Sequence, residues 1–218
     1  MKSKRKVVMI NMILLMVICM AGVGIYYWYN STYFVYTEDA KVDGDLHKIN
    51  SQISGKLLEF SVEEGNMVDK EQIVGRQEMV GQPDSNLDTS ILRSPIKGTI
   101  IKKLTNVGEI ISAGQVLAYV VDPAKVYITA NVEETKLTKL REGEKVDITI
   151  DKYKGKKFTG VVQSIGEAST SEFSLLPTAT SANFTKVVQK VPVKIKLNNY
   201  GNVKLLPGIN AVVSIHIK

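Results

Sequence analysis

Residues that carry chemistry are scarce in this sequence. It has one cysteine, Cys19, and two histidines, His47 and His216. A lone cysteine excludes a disulfide within one chain, and no Cys/His spacing here suits a metal. The two histidines are ordinary surface or strand residues rather than ligands or bases. No GxSxG elbow surrounds a serine. The Ser/Thr-rich run from Ser164 to Thr185 has no histidine nearby, so no nucleophile has a base in reach. Glu63-Glu64 and Glu133-Glu134 are adjacent in sequence, and adjacent strand residues point to opposite faces. They read as solvated charges. No glycine loop is built for a phosphate. The chain is therefore expected to be no enzyme, with no catalytic residue, no metal and no cofactor.

Charge of one sign is also lacking over most of the chain. Lys plus Arg number 28 against 22 Asp plus Glu, a net +6. Lys2, Lys4, Arg5 and Lys6 supply four of those six charges, and the rest is close to neutral. No basic face for nucleic acid follows.

What is present begins with an apolar run, Val7 to Tyr29, in which only Asn11 is strongly polar. As a helix at about 1.5 Å per residue it reaches about 35 Å, enough for a hydrocarbon core of about 30 Å. Its backbone amides are satisfied internally, so it can sit in lipid. The basic residues before it favour a cytoplasmic N-terminus. Tyr26, Tyr27, Trp28 and Tyr29 form an aromatic belt at the outer interface. The run continues through Ile25, against a cleaved signal peptide. Ile18 before Cys19 argues against a lipoprotein. Met9, Met12, Met16 and Met20 read as lipid-facing or helix-packing surface.

The soluble part is organised around a stretch that occurs twice, Asn50 to Gln77 and Arg93 to Val120. At a constant offset of 43, Gly55 falls on Gly98, Gly65 on Gly108, Val68 on Ile111, Gln72 on Gln115 and Ile73 on Val116. Such a repeated unit buries an apolar face against its twin. Each copy predicts a short strand after its first glycine, Lys56 to Val62 and Thr99 to Leu104. A turn centred on Gly65 or Gly108 follows, each a plausible tight hairpin needing φ > 0. Gly81 to Ser90, between the copies, reads as a loop.

From Lys125 onward the pattern changes. Strands are predicted over Val126 to Val132, Lys145 to Ile150, Phe158 to Ile165, Val187 to Leu197 and Ala211 to Ile217. Glu133 to Leu140 has a helical pattern, closed by Gly143. Pro192 suggests an edge or a bulge. Leu205-Leu206-Pro207-Gly208 makes a turn. The fold class is mainly β: an N-terminal transmembrane helix, a split β-sandwich, then a small β-barrel.

The paired halves, SPIKGTI opening the second and VGEIISAGQVL closing it, resemble a split lipoyl/biotinyl-like domain. With the anchor in front and the barrel behind, the order resembles the HlyD-type membrane fusion (periplasmic adaptor) proteins. Residues 37–57 (TEDAKVDGDLHKINSQISGKL), 173–197 (FSLLPTATSANFTKVVQKVPVKIKL) and 205–215 (LLPGINAVVSI) are similar to the EmrA-like subgroup. The resemblance implies an adaptor without catalysis, a homo-oligomeric ring, and drug-like or hydrophobic substrates. A carrier domain would attach its cofactor to a lysine between the halves, and no lysine occurs from Glu71 through Ile96. One departure from the family is plain. Its members insert a long α-helical hairpin between the halves, and here residues 81–90 stand in its place. Even fully extended they span at most about 35 Å.

The division expected is a cytoplasmic tail at 1–6, a transmembrane helix at 7–29 and a membrane-proximal extended segment at 30–49. A lipoyl-like domain follows at 50–122, with halves 50–80 and 91–122 joined by the loop 81–90, and then a β-barrel domain at 123–218. Structural turns are expected at Gly55, Gly65, Gly98, Gly108 and Gly208. Phe173, Leu175, Leu176 and Pro177 either cap the barrel core or face a ring lumen or a neighbouring subunit. The functional reading is a membrane-anchored adaptor subunit of a multidrug-efflux-type export system. Its partners would be an inner-membrane transporter, copies of itself and membrane lipid along residues 7–29. It would be a single-pass protein of the cell membrane with its bulk outside the cytoplasm. The alternative is a stand-alone surface- or wall-binding or regulatory accessory protein without a conduit role.

Overall fold

The computed structural model describes residues 2–78, 87–168, 188–198, 200–201 and 203–217, with side chains from Asn11 onward except at Leu87. The first element is one long helix, α1 (Lys2–Tyr33). No proline interrupts it, and its stretch Asn11–Tyr33 is long and apolar enough to cross a membrane. The helix extends past both ends of the apolar run: the Lys and Arg residues before it are good helix formers, whereas Asn30 to Tyr33 are weak ones held helical where the barrel meets their carbonyls.

The strands that follow are β1 (Phe34–Asp43), β2 (Leu46–Asn50), β3 (Gly55–Phe60), β4 (Met67–Val68) and β5 (Ile73–Gln77). A single turn, α2 (Leu87–Ser90), precedes β6 (Ile91–Arg93), β7 (Gly98–Lys103), β8 (Ile110–Ile111) and β9 (Val116–Val121). Next come β10 (Tyr127–Glu133), the short α3 (Glu134–Leu137), β11 (Lys145–Ile150), β12 (Lys157–Ile165), β13 (Lys190–Leu197) and β14 (Asn210–His216).

Six strands close a barrel in the order β1-β10-β13-β12-β11-β14, every neighbouring pair antiparallel. Side chains alternate inward and outward, as a pleated strand requires. Ile128, Ala130 and Val132 of β10, Val193 and Ile195 of β13, and Val213 and Ile215 of β14 point inward and are buried. Each large aliphatic buried this way contributes about 1.5–3 kcal/mol. The extended segment expected at 30–49 divides three ways. Its start completes α1, Phe34–Asp43 closes the barrel, and Leu46–Asn50 joins the sandwich. Val35, Ala40 and Val42 belong to the barrel core.

Pro192 lies on no edge, because β13 is paired on both sides. Its carbonyl accepts the Gly166 N–H at 2.8 Å, and in an antiparallel strand a residue's N and O point to the same side. The missing N–H therefore faces beyond Ile165, where β12 has ended, and no ladder bond is lost. The helix expected over Glu133 to Leu140 is shorter, Glu134–Leu137.

The sandwich has two four-stranded sheets, β2-β9-β7-β4 and β6-β5-β3-β8. Shifting by 43 residues turns β3 into β7, β4 into β8 and β5 into β9, so each sheet is the image of the other. Each also takes strands from both copies. The correspondence reaches single hydrogen bonds. Gly65 N–H bonds the Ile100 carbonyl at 2.8 Å, and Gly108 N–H bonds the Leu57 carbonyl at 2.8 Å. Ser51 N–H bonds Gln115, and Ser94 N–H bonds Gln72, at 2.9 and 3.0 Å. The turns at Gly65 and Gly108 are consequently no hairpins. They carry the chain from one sheet to the other, since β3 pairs with β8 and β4 with β7.

Candidate functional site

The helix enters the barrel with no residue between α1 and β1. The last carbonyls of a helix have no partner inside it. Here the barrel supplies them: Ile217 N–H bonds the Tyr33 carbonyl at 2.8 Å, and Lys139 Nζ bonds the Ser31 carbonyl at 3.4 Å. The Phe34 ring packs edge-on against His216, centroids 4.9 Å apart. Tyr29 lies against Tyr33 at 4.7 Å. His216 Nε2 is 2.7 Å from an Asp147 carboxylate oxygen. Helix α1 is thus clamped to one rim of the barrel through β14 and the segment after α3.

Beside this junction β1 bulges, so that Glu38 and Asp39 together oppose Val212. Asp39 accepts from Lys190 at 2.7 Å and from Asn131 at 3.0 Å. The hydrogen bond from Lys190 leads in lowering its pKa, with Asn131 adding to it and partial burial opposing.

The sandwich and the barrel are joined where the chain crosses between them, around Gly44 and around Pro123. A Cβ on Gly44 would lie 3.0 Å from Val121 and 3.4 Å from Pro207. Tyr200 donates its hydroxyl to the Pro123 carbonyl at 3.0 Å, and burial chiefly raises its pKa. Lys204 Nζ reaches the Gly65 carbonyl at 3.4 Å, while Tyr153 donates to the Lys204 carbonyl at 2.8 Å. Two open grooves flank the crossing. One, of about 510 Å³, is lined by Asp45, His47, Lys70, Lys97, Asp122 and Lys125. The other, of about 710 Å³, holds Met67, Pro123, Tyr200 and Val203. No group of three or more His, Cys, Asp or Glu able to hold a metal occurs among the described residues.

The glycines singled out in the sequence fall into two kinds. Gly65, Gly108 and Gly208 have φ of 89°, 95° and 92°, where a side chain is strained. Gly55 and Gly98 open strands instead. A Cβ there would lie 2.1 Å from the Glu78 carbonyl oxygen and 2.3 Å from that of Val121. Glu78 and Val121 are themselves 43 residues apart, so the crowding is repeated too. Phe173, Leu175, Leu176 and Pro177 lie outside the described residues. Sequence reasoning missed the clamp at Tyr33 and Ile217. The alternation of Ala40 and Val42 was the signal that the segment after the helix is a barrel strand, and the bulge at Glu38 and Asp39 put Val35 out of step with them.

The comparisons with known proteins follow this architecture. Residues 45–122 match the YhbJ barrel-sandwich hybrid domain, and residues 125–216 match the AAEA-like beta-barrel domain. The putative efflux system component YhbJ of Bacillus subtilis is 39% identical over 186 residues, covering 85% of this chain and 80% of that protein. The chain belongs to the HlyD-type membrane fusion proteins of efflux systems, in the EmrA-like group. The multidrug export protein EmrA of Haemophilus influenzae is 38% identical over 136 residues, 61% of this chain and 35% of that protein. The membrane fusion protein Spr0693 of Streptococcus pneumoniae shares the fold, with a TM-score of 0.59 at 16% identity over 85% of this chain and 98% of that one. The chain therefore spans most of YhbJ but about a third of EmrA. Membrane fusion proteins of this kind are non-enzymatic adaptors, and the scarcity of chemical groups noted in the sequence accords with that membership.

Proposed function

We propose that this membrane fusion protein is the anchored adaptor subunit of an export system. Residues 7–29 cross the cell membrane once, with the N-terminus in the cytoplasm and the sandwich and barrel outside. The barrel and the lipoyl-like domain pack against copies of themselves and against the outer face of an inner-membrane transporter. The observation that carries this reading is the similarity to an efflux component along 85% of the chain, joined to a spanning helix that runs unbroken into the barrel. The transporter supplies the energy and the path. The adaptor supplies a fixed scaffold at the outer surface. The division at 50–122 and 123–218 is refined here by giving Phe34–Asp43 to the barrel and Leu46–Asn50 to the sandwich. With so short a link between the repeats, its work stays near the membrane that anchors it. No observation favours the stand-alone accessory role.

Crosslinking from the outer face in intact cells, followed by identification of partners, tests the proposal. A multi-span transporter and oligomers of the chain are expected, together with loss of export on deletion. Recovery of the chain alone, with export unaffected by deletion, would sink it.

A further inference from the structure

We infer that the barrel rim next to the anchor rests in the lipid headgroup layer, with Lys139 and Arg141 on lipid phosphates. The inference relies on the proposed membrane span. The aromatic belt at Tyr26 to Tyr29 marks the outer edge of the hydrocarbon. Ser31 to Tyr33 lie two to seven residues further along the same helix, about 3–10 Å at the helical rise. The headgroup layer on one side of a bilayer is about 5–8 Å thick. Groups bonded to Ser31 and Tyr33 share that depth. These are Lys139, through the Ser31 carbonyl, and Ile217, through the Tyr33 carbonyl. Phe34 and His216 stack beside them. With no residue between α1 and β1, the barrel has no slack with which to lift away.

The chemistry of this rim suits phosphate. The segment from Lys136 to Arg141 reads KLTKLR. Leu140 is buried and Leu137 packs against the barrel core, which turns Lys139 and Arg141 outward, where both are exposed. Two nearby carboxylates are already engaged: Glu133 with Lys136 at 3.0 Å, and Glu144 with the Arg141 N–H at 3.1 Å. Glu134 and Glu142 remain exposed beside Lys139, Arg141 and Lys145. Cations at a membrane surface gain from anionic lipid, and their long side chains reach the phosphates readily.

The test uses the full chain with Cys19→Ala, alone in nanodiscs of phosphatidylcholine and phosphatidylglycerol, without a transporter. A fluorophore is placed through Glu142→Cys at the rim or Val107→Cys at the sandwich tip, and lipids with a headgroup nitroxide serve as quencher. Quenching several-fold stronger at 142 than at 107 is expected. Adding Lys139→Glu with Arg141→Glu is expected to lower quenching at 142 while leaving 107 unchanged. Equal quenching at the two sites in bilayer-bound protein would overturn the inference, as would quenching at 142 that ignores the charge reversal. Protein that fails to incorporate would instead overturn the anchor, and with it the adaptor reading.

Discussion

Gly55 and Gly98 leave no space for even one methyl group, because backbone oxygens occupy the place of a Cβ. Gly98→Ala should cost about 3 kcal/mol, at the upper end of overpacking penalties, and a thermal melt of the full chain in detergent would show it. The repeat contains a natural control. Gly114, at φ 82°, corresponds to Glu71, which adopts φ 63° and is the one non-glycine residue of positive φ among those described. Left-handed backbone costs a side chain about 1–2 kcal/mol, and glycine's extra freedom in the unfolded chain returns part of it. Glu71→Gly should therefore stabilise by about 0.5 kcal/mol, and Gly114→Ala should destabilise by about 1 kcal/mol, measured by urea titration. Asp39 gives a pH signature. Its folded pKa lies below the ordinary 3.8, so its stabilisation is present above that value and fades as pH falls through the lowered one. The pair with Lys190 is nearly half exposed, so Asp39→Asn should cost no more than about 1 kcal/mol at pH 7. The difference from wild type should close as pH falls through the lowered pKa of Asp39.

At the scale of elements, the sandwich is woven from its two copies. β2 and β4 of the first copy flank β9 and β7 of the second, and the reverse holds in the other sheet. Each copy supplies only the central pair of one sheet, β5-β3 or β9-β7, and the other copy supplies both flanking strands. A chain cut after Asn86 should yield two pieces that fold only together. Co-expressed pieces should copurify with native-like hydrogen-exchange protection in β3, β5, β7 and β9, and the first piece alone should lack it. Protection in the isolated piece would contradict the woven arrangement. The repeat itself was legible in the sequence, down to its glycines. Its weaving was not, because an internal match reveals which residues are equivalent and says nothing of which strands pair. The same limit made the Gly65 and Gly108 turns read as hairpins.

At the scale of the whole molecule, helix α1 and the barrel form one piece. A flexible insert between Tyr33 and Phe34 should keep the protein in the membrane and the barrel folded, yet weaken export by releasing the scaffold from its fixed height. Unchanged susceptibility to exported compounds would show that the rigid junction is dispensable. The long apolar helix, the repeat and the mainly β class were determined by the sequence alone, because each depends on composition, period or spacing along the chain, and those survive without coordinates. The family was legible there too, as a resemblance carried by residues 37–57, 173–197 and 205–215. The closing of the barrel by Phe34–Asp43, the place of Pro192 past the end of β12 and the clamp of Ile217 on Tyr33 were decided only by the tertiary structure. Each joins residues far apart in the chain, and local sequence carries the propensity of a strand but not the identity of its neighbour.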